Sequence, residues 1–88
     1  MFKIKKKIIY IFYLPLTQKL NSDYYIDEVA NNKFPTEYWD ITKIFYKNFS
    51  LVDTLQRDYI KKIDSYDQLE KAMKKEDTAS CIFIVDPE

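Results

Sequence analysis

Two unbroken apolar runs constrain this chain more than any other feature. One is Ile8-Ile9-Tyr10-Ile11-Phe12-Tyr13-Leu14; the other spans Ala79 to Val85. A strand with one wet face alternates apolar and polar residues, whereas a strand covered on both faces reads as a continuous apolar stretch. Each run is far shorter than the roughly 20 residues of a membrane-spanning helix. Their Ile, Val, Tyr and Phe content suits strands. Both therefore read as central strands of a parallel sheet, which needs helical crossovers to cover it. Pro15 lacks a donor and closes the first strand.

The segments between the runs supply those crossovers. The spacing of Ile26, Val29 and Ala30 predicts a helix over Asp23–Asn31, with Ser22 as N-cap and Asp23, Asp27 and Glu28 toward its positive end. Its start could also lie earlier, near Gln18. Asn31 or Asn32 suits the left-handed closing position. Thr36-Glu37-Tyr38-Trp39-Asp40 reads as a second strand, parallel to the first. Residues 41–55 carry too many apolar side chains for a free linker and read as an irregular or partly helical segment lying on the sheet. Asp58–Ile63 reads as a short edge strand guarded by Lys61 and Lys62. Ser65 and Gln68 fit a capping box that opens a helix to about Lys75, with Tyr66, Leu69, Ala72 and Met73 on its apolar face.

The expected fold class is α/β: a Rossmann-like three-layer or partly open sandwich. Its four-stranded, mainly parallel sheet has order 3-2-1-4, with two main helices. The 88 residues suggest one domain. With so few helices and a final strand that no helix follows, the chain reads as the N-terminal part of a larger two-domain design, or as a domain that covers a bare sheet face or edge with a protein partner or by self-association.

Composition removes several functions. The chain has no His and no Gly. A phosphate loop and a dinucleotide turn both need glycine where backbone approaches phosphate. Lys+Arg and Asp+Glu balance at 14 each, which argues against a nucleic-acid partner. Thirteen of the cations are Lys and Arg57 is the one Arg, leaving a single candidate for bidentate anion recognition. The one cysteine, Cys81, can form no internal disulfide, and within an apolar strand it reads as a small hydrophobe. No cofactor or metal is expected, and the expected location is the cytoplasm. Lys3, Lys5, Lys6 and Lys7 ahead of an apolar run resemble the start of a secretory signal, but no small-residue cleavage site follows. The same cluster could touch an anionic membrane surface.

Ligands of open α/β sheets bind beyond the carboxyl ends of the strands. Thr17, Asp40 and Asp86 stand there and are the candidate ligand-binding residues. Each also has a plainer reading: Thr17 as a loop or cap hydroxyl, Asp40 as a cap of the turn that follows, Asp86 as a solvated strand end. Asp40 and Asp86 together could offer two carboxylates to a divalent cation, a pairing common by chance. A phosphoacceptor site of the receiver type would need acids where Pro15 and Leu16 stand. The pairs Tyr24-Tyr25 and Tyr38-Trp39 could stack on sugars or bases, though aromatics so placed more often fill a core. Asn48-Phe49-Ser50 matches a glycosylation sequon. No catalytic residue is evident.

At Tyr10-Ile11-Phe12-Tyr13-Leu14-Pro15-Leu16-Thr17 and Glu37-Tyr38-Trp39-Asp40-Ile41-Thr42-Lys43-Ile44, the chain resembles the N-terminal region of glycosyltransferase-like proteins from bacterial capsule and surface-polysaccharide biosynthesis clusters. Asn32-Lys33 departs from the Asn-Gly that usually precedes the equivalent of Phe34. The resemblance implies an N-terminal half that faces the acceptor, with the nucleotide-sugar site in a second half. On that reading these 88 residues transfer no sugar alone. The alternative is a small cytoplasmic protein-interaction module that uses a sheet edge or an aromatic surface.

Overall fold

The computed structural model describes residues 6–31, 34–48, 51 and 53–85. They form strand β1 (Lys7–Phe12), helices α1 (Gln18–Tyr24) and α2 (Ile26–Asn31), strand β2 (Thr36–Asp40), helix α3 (Thr42–Phe45), strand β3 (Ile60–Lys62), helix α4 (Tyr66–Lys74) and strand β4 (Cys81–Val85). A 3-10 turn, Thr78–Ser80, leads into β4. The sheet is four-stranded in order β3-β2-β1-β4, and every pair is parallel. Tyr10 of β1 sits between Tyr38 of β2 and Ile84 of β4.

Period-two alternation sorts the strand residues onto two buried faces. Ile9, Ile11 and Trp39 point to one side, where Ile41, Ile63 and Ala72 of α4 complete a core. Tyr10, Phe12 and Tyr38 point to the other, against Leu16 and Ile26 of α2, with Leu20, Leu55 and Tyr59 packed around them. Helices thus lie on both faces, α1 and α2 on one and α4 on the other. Both sides of β1 and β2 meet side chains, which is why β1 shows no alternation. Burying one mainly aliphatic and one mainly aromatic layer on a chain this short is a large apolar contribution, about 1.5–3 kcal/mol for each fully buried large side chain.

The first crossover differs from its expected form. Helix begins at Gln18, where Thr17 Oγ1 accepts the Leu20 N–H at 3.2 Å. Ser22 lies inside α1 and caps nothing. The chain then breaks at Tyr25, whose φ of 54° and ψ of 40° are left-handed, and resumes as α2. The left-handed residue is therefore Tyr25; Asn31 is helical and Asn32 lies outside the described residues. Asn21 explains the break. Its Oδ1 accepts the Asp27 N–H at 2.8 Å and its Nδ2 donates to Asp27 Oδ2 at 3.1 Å. One side chain thus accepts a free N–H at the start of the second helix and holds the Asp27 carboxylate, a role sequence spacing does not announce.

Two further expectations change. β4 is an edge strand, and the central pair is β1 with β2. Tyr38 and Trp39 are fully buried, while Ile82 and Val85 of β4 are 45% and 54% exposed. Continuous apolarity in β4 therefore does not mark a central position. Tyr66 turns away from the core that Leu69, Ala72 and Met73 join. Residues 54–55 strap across the loop after β1: Thr54 bridges Thr17, and the Leu55 N–H donates to the Leu16 carbonyl at 2.8 Å. The guarded edge is where it was expected, since β3 borders only β2 and both Lys61 and Lys62 are exposed. Ser65 Oγ caps α4 through the Gln68 N–H at 3.2 Å, and Gln68 Oε1 accepts in return from Asp64 N–H.

Candidate functional site

Beyond the carboxyl ends of β1, β2 and β3 lies a cavity of about 310 Å³. Pro15, Leu16 and Leu55 give it apolar lining. Asp40, Thr42, Lys43, Gln56, Lys62 and Asp64 give it polar groups. Each strand end delivers its part: β1 passes into Pro15-Leu16, β2 ends on Asp40, and β3 ends on Lys62 just before Asp64. The volume is at the small end of the range for small-molecule pockets, about 300–1,000 Å³.

Asp40 is 8% exposed. Its Oδ1 accepts both the Thr42 N–H at 2.9 Å and the Thr42 hydroxyl at 2.5 Å. Its carbonyl accepts the Ile63 N–H at 2.9 Å, which ties β2 to the end of β3. The plainer reading of Asp40, that it steadies the turn after β2, thus holds, and the same residue also lines the cavity. Lys43 Nζ donates to the Lys47 carbonyl at 3.1 Å. Carboxylates, ammonium groups, an amide and hydroxyls surround the space in mixed sign, so it offers hydrogen bonds of both kinds and no excess of positive charge.

Of the residues expected from sequence, Asp40 lines this cavity and Thr17 does not. Thr17 caps α1 and borders a separate surface depression with Gln18, Lys19, Leu51 and Asp53. Asp86 lies outside the described residues, as do Phe49 and Ser50 of the sequon. Lys62 and Asp64 were missed. The rule that ligands gather at strand ends points to them as readily as to Asp40, once β3 is counted with the other strands.

The aromatic pairs are sorted differently from the sugar-stacking reading. Tyr38 and Trp39 belong to the core: the Tyr38 hydroxyl donates to the Leu14 carbonyl at 2.6 Å, and Trp39 Nε1 donates to Glu37 Oε1 at 2.7 Å. Tyr24 packs edge-on to Phe12, with ring centroids 5.0 Å apart. Another group is exposed in their place. Tyr13 after β1, Phe45 in α3 after β2 and Tyr66 at the start of α4 after β3 meet edge to face, Phe45 being 5.0 Å from Tyr13 and 5.8 Å from Tyr66. Phe45 and Tyr66 are 44% and 63% exposed. All three strand ends therefore contribute one ring to a shelf at this end of the sheet, and α3 carries Phe45 of the shelf as well as Thr42 and Lys43 of the cavity.

Two ionic networks lie elsewhere and are structural. Arg57 grips Asp27 through Nε and Nη2 at 2.8–3.1 Å, and the Tyr59 hydroxyl donates to Asp27 Oδ1 at 2.6 Å. These donors, Arg57 foremost, hold the Asp27 carboxyl down to about 2. Burial and the neighbouring carboxylate push the Tyr59 hydroxyl well above its ordinary range. The one Arg thus fastens α2 to the segment before β3. Lys7 Nζ sits between Glu37 at 2.8 Å and Glu76 at 3.1 Å. Burial raises Glu37, but the bonds from Lys7 and Trp39 outweigh it and hold the carboxyl below its usual value. Lys7 is therefore engaged within the fold and not offered to a membrane surface; Lys6 is exposed, and Lys3 and Lys5 lie outside the described residues. Cys81 is partly exposed, and burial together with Glu76 pushes its thiol up, away from thiolate chemistry.

Among the described residues no group of three or more His, Cys, Asp or Glu side chains could hold a metal. No helix among them is long and apolar enough to cross a membrane. Comparison with known proteins adds nothing to this geometry. No protein family, curated protein or solved structure matches the chain.

Proposed function

We propose that this chain is a Rossmann-like N-terminal domain of a glycosyltransferase-like protein of bacterial surface-polysaccharide biosynthesis, cytoplasmic, acceptor-facing and without transferase activity by itself. The observation that carries the reading is the cavity where β1, β2 and β3 end. Its mixed carboxylate, ammonium, amide and hydroxyl lining suits a neutral polyhydroxy ligand, which both gives and accepts hydrogen bonds. Within the ring shelf, the exposed Phe45 and Tyr66 offer apolar surface to a neighbouring sugar ring. A nucleoside diphosphate fits poorly: Asp40 and Asp64 would face its charge, and no glycine lets the backbone cradle phosphate.

Calorimetric titration tests this. Hexoses are expected to bind weakly, and nucleotide sugars no better than their sugar portion alone. Tight nucleotide-sugar binding by the 88 residues would contradict the acceptor-side assignment.

A second reading, the protein-interaction module without enzymatic activity, is favoured by one observation. Among the described residues no strand pairs with the outer edge of β4, and that edge carries no charge.

A further inference from the structure

The two edges of the sheet are built differently. β3 offers three residues, Ile60-Lys61-Lys62, with both lysines exposed. A strand carrying such charge resists pairing with a copy of itself. β4 offers Cys81-Ile82-Phe83-Ile84-Val85, longer, β-branched and aromatic, and without charge or proline. All five residues are in register with β1, so the backbone groups on the far side of β4 face outward in a regular row. Both sheet faces carry helices, and among the described residues no strand pairs with the outer edge of β4.

We infer that β4 pairs antiparallel with β4 of a second copy about a twofold axis through Phe83. The charge pattern selects this occupant. Twofold pairing opposes Cys81 to Val85 and Ile82 to Ile84, so no like charges meet along the strand. It joins the two uncharged edges and leaves a lysine-guarded β3 at each end of an eight-stranded sheet, so assembly stops at two copies. Head-to-tail pairing of β4 with β3 would oppose an apolar strand to lysines and would not close. The dimer deepens the interaction reading by naming its partner, and stands apart from the saccharide proposal.

Two five-residue strands make a small interface, so the dissociation constant is expected on the order of 100 µM. Sedimentation of the full chain across concentration tests the dimer, alongside Ile82→Lys, an exposed position whose change leaves the core alone. The variant is expected to weaken association about tenfold or more while keeping the native circular dichroism. Val85→Cys tests the register. The new thiol would lie opposite Cys81 of the second copy and should cross-link under mild oxidation, whereas within one strand the two positions are roughly 13 Å apart. A wild-type chain that stays monomeric into the millimolar range overturns the inference, as does a dimer indifferent to Ile82→Lys or one that fails to cross-link. A monomer whose β4 amides exchange rapidly would overturn the dimer while leaving the edge open to another partner, as the interaction reading requires. A monomer with protected β4 amides would remove both.

Discussion

Tyr25 holds a backbone conformation that a bulky residue adopts at a cost of about 1–2 kcal/mol. Its side chain is 61% exposed and repays little through packing. Tyr25→Gly is therefore expected to stabilise the fold by about 1 kcal/mol, since glycine takes the left-handed region freely but loses more entropy on folding. Thermal unfolding of the two chains measures this, and a lower melting temperature for the variant would contradict it. Asp27 supports a prediction in pH. Its carboxyl titrates near 2 when folded and near its ordinary value of about 3.9 when unfolded. The stability it contributes is complete above that ordinary value and is lost as pH falls through about 4 toward 2. Asp27→Asn should lower stability at neutral pH by about 1–2 kcal/mol and flatten the acid limb of the stability curve. Denaturant unfolding at several pH values between 2 and 7 shows whether it does. Neither feature is legible in sequence: Asn21 and Arg57 reach Asp27 across 6 and 30 residues, and one-dimensional spacing carries no sign of such contacts.

Individual elements were legible in proportion to how local their causes are. The α4 cap was read from Ser65 and Gln68, because a capping box closes within four residues. β1 lies within two residues of its expected bounds, because continuous apolar residues and Pro15 act on their own strand. The α1–α2 break was not legible, since Thr17 and Asn21 compete with Ser22 for the role of cap and only tertiary packing decides. β4 misled for a different reason. An uncharged strand looks the same in sequence whether a second neighbour or a second copy covers it. The two edges support a prediction at this scale. Replacing Lys61 and Lys62 with Val would remove the guard from β3 and is expected to turn a bounded assembly into open-ended aggregation. Light scattering over time distinguishes growth from a constant mass.

For the whole molecule, the topology follows from two facts that sequence did carry: Ile8–Phe12 of β1 and Cys81–Val85 of β4 are apolar throughout, and the crossovers are long enough for helices. Order 3-2-1-4 then places every strand end on one side, and the candidate site follows from that placement. Asp40 stands out in sequence because it ends β2. Lys62 and Asp64 were passed over because β3 reads as a guarded edge, and the ring shelf was passed over because Tyr13, Phe45 and Tyr66 lie 32 and 21 residues apart and meet only in three dimensions. Asp40→Asn keeps an oxygen for Thr42 and should leave the fold intact while weakening ligand binding about tenfold. The central claim is that the space between Asp40, Lys62 and Asp64 takes a sugar. Amide chemical shifts recorded while a neutral hexose is titrated into the full chain test it most directly. The expected result is a saturable change confined to residues lining the cavity and the Tyr13, Phe45 and Tyr66 shelf, diminished by Asp40→Asn; shifts that never saturate, or that fall elsewhere on the molecule, would contradict it.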